Sequence, residues 1–195
     1  MNLIPIGQIA SVRMGVTLRG RDATRPDPNG SCQMIRISDV SDDGHLTNPD
    51  LLKFEPGESI KPDLFLRFGD VLVPNRGLRT TAYAFDLPDQ NVIVGAQFFI
   101  VRCDFSRVFP EYLAWFLRSE TAAQHFSTHR KGTLVQTIQR GDLAGLALPL
   151  PPLAKQAVIV ELDKLATQER QLSERLAVLR HQHLQSTLLQ KAPLS

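Results

Sequence analysis

The sequence reads as an α+β protein that ends in one long helix. Two observations carry that reading. Short apolar segments with strand-like alternation fill the first half of the chain, and helical spacing takes over only after Pro110, so no strand–helix–strand rhythm appears. From Leu153 to Gln190 there is neither Gly nor Pro, directly after the pair Pro151-Pro152. A proline pair cannot sit inside a helix, but it suits a first turn, where the missing N–H would have no partner anyway. Taken as helix, residues 152–190 would be a rod of roughly 58 Å. Such a rod outruns a small domain, and part of it is expected to extend beyond the body.

In chain order, Ile6, Ile9 and Val12 stand at helical spacing and predict a short amphipathic turn or helix over 6–13. Residues 16–30 form a loop by their Gly, Pro and Asn content, and the loop carries Arg19, Arg21 and Arg25. Residues 33–40 alternate as a strand, with Ile35 and Ile37 on one face and Arg36 on the other. Asp42-Asp43-Gly44-His45 is a turn. Residues 64–68, 69–70 and 71–74 read as strand, turn and strand. A polar loop over 75–81 holds Arg76 and Arg79 around Gly77. Strands are expected over 82–86, 92–94 and 97–102, the last rich in Phe98, Phe99, Ile100 and Val101.

After Pro110, residues Tyr112, Leu113, Trp115, Phe116 and Leu117 predict one apolar helix running to about Phe126 and packing on the sheet. Residues 127–133 then make a small basic loop with His129, Arg130, Lys131, Gly132 and Thr133. Residues 143–150 lead back to the rod. The rod has a seam: Val158, Leu162, Leu165, Leu172, Leu176 and Leu179 alternate at spacings of three and four, flanked by charged residues. That stripe spans about three heptads and predicts an assembly surface. Beyond Leu179 the register shifts toward Leu184 and Leu188.

Composition is that of an ordinary soluble globular protein, 43% hydrophobic and 22% charged, with a net charge of +2. The distribution of charge says more. Residues 1–150 hold 16 basic and 16 acidic residues, and 13 of the basic ones are Arg. Arg presents a planar fork suited to phosphates and guanine edges, so the positive charges lean toward nucleic acid although the balance is neutral. Cys32 and Cys103 match no metal-ligand spacing. With no basic n-region at the N-terminus they are expected to be reduced thiols in a cytoplasmic protein. No apolar run approaches the length of a membrane span, so no membrane association is expected.

Enzyme motifs are absent: no phosphate-binding Gly-x-x-x-x-Gly-Lys loop, no Gly-x-Ser-x-Gly elbow, no Cys-x-x-Cys, no Asn-Pro-Pro-aromatic methyltransferase site. His125 and His129 have the i, i+4 spacing of helical metal ligands but lack a third ligand, so neither a metal nor a cofactor is expected. Three basic loops, 19–25, 76–79 and 129–133, combine Arg or Lys with Gly or Thr, which permits close backbone approach to a phosphate and side-chain reach to a base. The candidate DNA contacts are Arg19, Arg21, Arg25, Arg36, Arg76, Arg79, Arg130, Lys131 and Thr133.

The segment Leu148-Pro149-Leu150-Pro151-Pro152-Leu153-Ala154-Lys155-Gln156 resembles the "PLPPLAEQ" junction of type I restriction-modification specificity (S) subunits, with Lys155 in place of the usual Glu. Ile35-Arg36-Ile37-Ser38-Asp39-Val40, Phe68-Gly69-Asp70-Val71-Leu72-Val73, Pro110-Glu111-Tyr112-Leu113 and Lys131-Gly132-Thr133 follow that family's order. The resemblance covers almost the whole chain and implies a target recognition domain over 1–150 followed by the family's long helix over 151–195. Family members usually carry two of each, so the chain is similar to a half-length subunit. The resemblance implies no catalysis by this chain. It implies double-stranded DNA as ligand, methyltransferase (M) and restriction (R) subunits as partners, and a bipartite target. Self-association through the helix would supply the second recognition domain. Two other readings stand beside it: a stand-alone DNA-binding regulator, and an enzyme of unrecognised type using groups such as Asp39, Asp70, His125 and His129.

Overall fold

The computed structural model describes residues 2–18, 25–48, 50–77, 79–88, 91–130 and 136–191. They divide into two compact units, Met1–Ala157 and Val158–Ser195. The first unit mixes sheet and helix, as the alternating apolar segments require.

Three sheets form. Strands β1 (Leu3–Pro5) and β9 (Ala147–Pro149) pair antiparallel and bring the ends of the unit together. Strands β2 (Ala10–Met14), β8 (Phe98–Cys103), β5 (Asp70–Pro74) and β6 (Tyr83–Ala84) make an antiparallel sheet in that order. Strands β4 (Leu52–Phe54), β3 (Cys32–Ile35) and β7 (Val92–Val94) make the third, with β3 and β7 parallel. The core lies between the two larger sheets, where Leu72, Phe98 and Ile100 meet Ile35, Val92 and Val94. Alternation sends Val71, Val73, Phe99 and Val101 to the opposite face, and all four are buried. Helix α1 (Pro110–Leu117) packs against β5 and β6. Burying a side chain of this kind stabilises by about 1.5–3 kcal/mol.

Four predicted elements change. Residues 6–13 are not a helix: Ile6–Gln8 is a single 3-10 turn and Ala10–Met14 is β2. Ile6, Ile9 and Val12 are buried all the same, because a turn followed by a strand also aims them inward. The strand expected over 33–40 ends at Ile35, since the Asp39 carboxylate accepts from Arg36 N at 2.9 Å and winds residues 37–39 into a 3-10 turn. The strand expected over 64–68 is absent: Pro62 opens a 3-10 turn over 62–64, and Leu66 N donates to Val92 O without forming a ladder. The single helix after Pro110 is two, because Ser119 caps α2 (Glu120–His129) by accepting from Ala122 N. Helix α2 also absorbs Ser127, Thr128 and His129 from the predicted basic loop. Helix α3 (Arg140–Gly145), unforeseen, is opened by Asp142 accepting from Gln139 N at 2.8 Å.

The turn Phe68-Gly69-Asp70 is fixed from below. Gly69 has φ +84°, and a Cβ there would come within 2.4 Å of Phe105. Asp70, 1% exposed, accepts from Arg67 N and binds Arg102 through both oxygens, at 2.7 and 2.5 Å. Helix α4 (Leu153–Lys191) starts immediately after the proline pair, as predicted. Its first turn is held by Gln156, which is fully buried. The Gln156 amide accepts from Phe109 N at 3.0 Å and donates to Arg107 O and Pro151 O, at 3.0 and 2.9 Å. Tyr112 Oη donates to Pro149 O beside it. In the second unit, Val158, Leu162, Leu165, Leu172, Leu176 and Leu179 are each between 47% and 71% exposed.

Candidate nucleic-acid interface

The site begins where the β5–β8 ladder runs out. Pro74 pairs with Phe98, and the ladder continues one step, with Asn75 N donating to Gln97 O at 2.9 Å. The Asn75 side chain donates to Ala96 O at 2.9 Å, and the Asn75 backbone carbonyl accepts from Ile138 N at 3.1 Å. Gly77 N donates to Gln136 O, and Arg76 bridges Thr137. Buried Asn75 thus ties three segments, 75–77, 95–97 and 136–138, into one platform. Gly77, at φ +84°, turns the chain directly after Arg76, a conformation that a side-chain-bearing residue resists.

Arg76 is exposed on this platform and lines a concavity of about 750 Å³. Arg36 lines the same concavity, with Thr17, Ser38 and Gln97 at its wall and Ile35, Leu52 and Phe98 among its apolar contacts. Leu18 and Pro26, which flank the first basic loop, line it too. Arg36 is held by Asp39 in a two-pronged ion pair, Nε and Nη2 each at 3.1 Å, with its side chain 54% exposed. The bonds and charge of Asp39 raise the Arg36 pKa. Burial opposes ionisation of Asp39, yet its bonds to Arg36 and Ser38 hold the carboxyl below its usual range.

Arg79 is employed differently. Its Nε binds Asp42 at 2.7 Å while Nη1 and Nη2 donate to Ile37 O and Val40 O, at 3.1 and 2.7 Å. It fastens the 75–81 loop to the 37–42 segment, where Thr81 also donates to Ser41 O. Arg130, whose pKa burial lowers, ends α2 and donates to Arg79 O at 3.3 Å. Arg25 is exposed. Arg19, Arg21, Lys131 and Thr133 lie outside the described residues. The structure therefore brings Arg36 and Arg76 to one concavity, and it joins Arg130 to the Arg79 backbone, with the Arg79 side chain bonded to the 37–42 segment. Sequence reasoning missed Asn75 and Gln97. A polar residue directly after the apolar run Val71–Pro74 was the available signal for Asn75.

The candidate catalytic groups are engaged elsewhere. Asp39 and Asp70 serve Arg36 and Arg102. His125 and His129 stack at 4.2 Å, with His125 Nε2 against Asp142 O and His129 Nδ1 against His125 O. Among the described residues no group of three His, Cys, Asp or Glu could hold a metal ion. Both cysteines are free, and burial with the charges of Asp70, Glu111 and Asp104 pushes the Cys103 thiol up to about 12. No helix among the described residues is long and apolar enough to cross a membrane.

No protein-family model matches the sequence, and comparison with curated proteins gives no match. Solved structures do match. A chain from a study of complex assembly and conformational transition in a type I R-M system is 19% identical. It aligns at a TM-score of 0.70 over 95% of this chain and 43% of its own. The HsdS subunit from Thermoanaerobacter tengcongensis is 20% identical, with a TM-score of 0.65 over 90% of this chain and 39% of its own. The type I restriction-modification S subunit from M. genitalium is 16% identical, with a TM-score of 0.56 over 91% and 41%. The chain has the fold of type I S subunits and spans about two fifths of the length of these structures.

Proposed function

We propose that this chain, built on the type I S-subunit fold, is a sequence-specific DNA-recognition subunit of a restriction-modification system. The observation that carries the reading is the fold itself, matched over nine tenths or more of the chain. The platform at Asn75 supports it, because short polar loops fixed to a rigid sheet can hold arginines against duplex DNA. Residues 1–150 are the recognition domain and residues 151–195 the assembly helix. The chain carries out no chemistry of its own, and the use of Asp39 and Asp70 as structural counter-ions is in keeping with that. Methyltransferase and restriction subunits supply it, in the cytoplasm, at the site this chain selects.

The exposed leucine stripe of α4 supports self-association into a homodimer, which would present two recognition domains to a bipartite site. Mapping of methylated sites in cells expressing the chain with its genomic neighbours tests the whole reading. A defined modified sequence that disappears when this chain is deleted is expected. Unchanged methylation, with DNA binding by the chain alone and no copurifying methyltransferase, would make it a stand-alone regulator.

A further inference from the structure

The geometry points to a division of labour among the polar residues of the platform, one that rests on the DNA-recognition reading above. We propose that Arg76 and Gln97 are the base-reading side chains of this surface, Arg76 for a guanine edge and Gln97 for an adenine edge. Asn75 acts as the residue that positions both.

Arg76 and Gln97 are exposed, line the same concavity, and have no side-chain partner among the described residues. Their backbones are locked together, since Asn75 N donates to Gln97 O and Asn75 Nδ2 to Ala96 O. Gly77 N, bonded to Gln136 O, fixes the far side of Arg76. Reading a base edge needs a side chain whose root is held within a fraction of an ångström, whereas a phosphate contact tolerates far more play. Arg36 and Arg79 fail the second requirement, an unoccupied fork. The guanidinium of Arg36 has two of its nitrogens bonded to Asp39, and Arg79 spends Nε, Nη1 and Nη2 on Asp42, Ile37 and Val40. Arg76 keeps its fork available for the O6 and N7 acceptors of guanine, and Gln97 keeps a donor and an acceptor for N7 and N6 of adenine, all in the major groove. Arg36, in the same concavity and still positively charged, is suited to a backbone phosphate.

The test is selection of bound duplexes from a random-core library by the full chain, in the assembly in which it purifies. Wild type is compared with Arg76→Ala, Arg76→Lys, Gln97→Ala and Asn75→Ala, each checked for an unchanged melting profile. Arg76→Ala is expected to erase preference at one G·C pair and to weaken binding to the selected site by roughly 10- to 100-fold. Arg76→Lys, which keeps the charge but not the fork, should lose the same preference with the salt dependence unchanged. Gln97→Ala should erase preference at an A·T pair. If Asn75→Ala melts early, the two exposed variants carry the test without it. An unaltered selected sequence in both Arg76 variants and in Gln97→Ala, with a shallower salt slope for Arg76→Ala, would make them phosphate contacts and overturn the assignment. A wild-type chain that selects no sequence at all would instead sink the DNA-recognition reading beneath it.

Discussion

The amide of Gln156 accepts a hydrogen bond from the backbone N–H of Phe109 at 3.0 Å while donating to two carbonyls, Arg107 O and Pro151 O. With its own side chain fully buried, one residue in the first turn of α4 serves three backbone groups. The residue sits at the end of the proline junction, and this geometry is the physical content of the Gln in that motif.

Gln156→Ala should therefore destabilise the globular unit by about 2–4 kcal/mol, since it removes three hydrogen bonds made by a fully buried side chain. Gln156→Glu adds a sign. The carboxylate has no proton to donate to either carbonyl, so its folded pKa rises and the variant should recover stability as the pH falls. Urea denaturation across pH, with exposed Gln168→Ala as control, measures both. A Gln156→Ala midpoint equal to that of the control would dispose of the claim.

Arg79→Ala should behave as a folding mutation. It strips partners from Ile37 O, Val40 O and Asp42, so a loss of about 1–3 kcal/mol is expected. Arg79→Lys should not restore it, because a single ammonium lacks the planar fork that spans three acceptors. DNA affinity should fall in both with an unchanged salt slope. A slope reduced by about one in a fully stable protein would show a direct phosphate contact instead.

The Arg36–Asp39 pair predicts an acid limb. The folded Asp39 pKa is depressed, so the stability it contributes is present above the unfolded carboxyl value, about 3.9, and is lost as the pH falls through the folded value. Asp39→Asn should be less stable than wild type at neutral pH, and the gap should narrow below about pH 4. Chemical denaturation at several pH values reads this, and a gap that widened in acid would contradict it.

Leu172→Asp with Leu176→Asp should convert the chain to a soluble monomer. Leaving such a stripe in water is unfavourable by about 25 cal/mol per Å² of apolar surface, and carboxylates remove the incentive to cover it. Sedimentation velocity gives the answer directly. An unchanged sedimentation coefficient would mean the stripe does not mediate assembly.

An antiparallel pairing of two such helices about a two-fold axis would make the target an interrupted palindrome. Deletion of whole heptads between Leu165 and Leu179 should then change the spacer and leave both half-sites intact. Site mapping in an assembly with this chain as sole specificity subunit decides it. An asymmetric target would count against the symmetric dimer.

The long helix was legible because one signal, an uninterrupted run after two prolines, needs no tertiary help. The short elements were not, because tertiary contacts settled them. Ile6, Ile9 and Val12 satisfy a helical period and also a turn followed by a strand, and pairing of Ala10–Met14 with Phe99–Cys103 decided between the two. Ser119 was a readable cap inside what looked like one helix. At the site, the arginines could be found in the sequence but not sorted. Arg76 and Arg79 stand three apart in one loop, and only the positions of Asp42, Ile37 and Val40 distinguish an available fork from an occupied one.

The cross-linked segment around Asn75 has a consequence for how such a protein could change over generations. Its backbone is secured by Asn75, Gly77 and Gln136, none of which needs its neighbour at position 76 or 97 to be any particular amino acid. Replacement at those two exposed positions leaves the buried bonding scheme as it stands, so under the proposed assignment of Arg76 and Gln97 a new target would need only single substitutions, without a passage through unfolded intermediates.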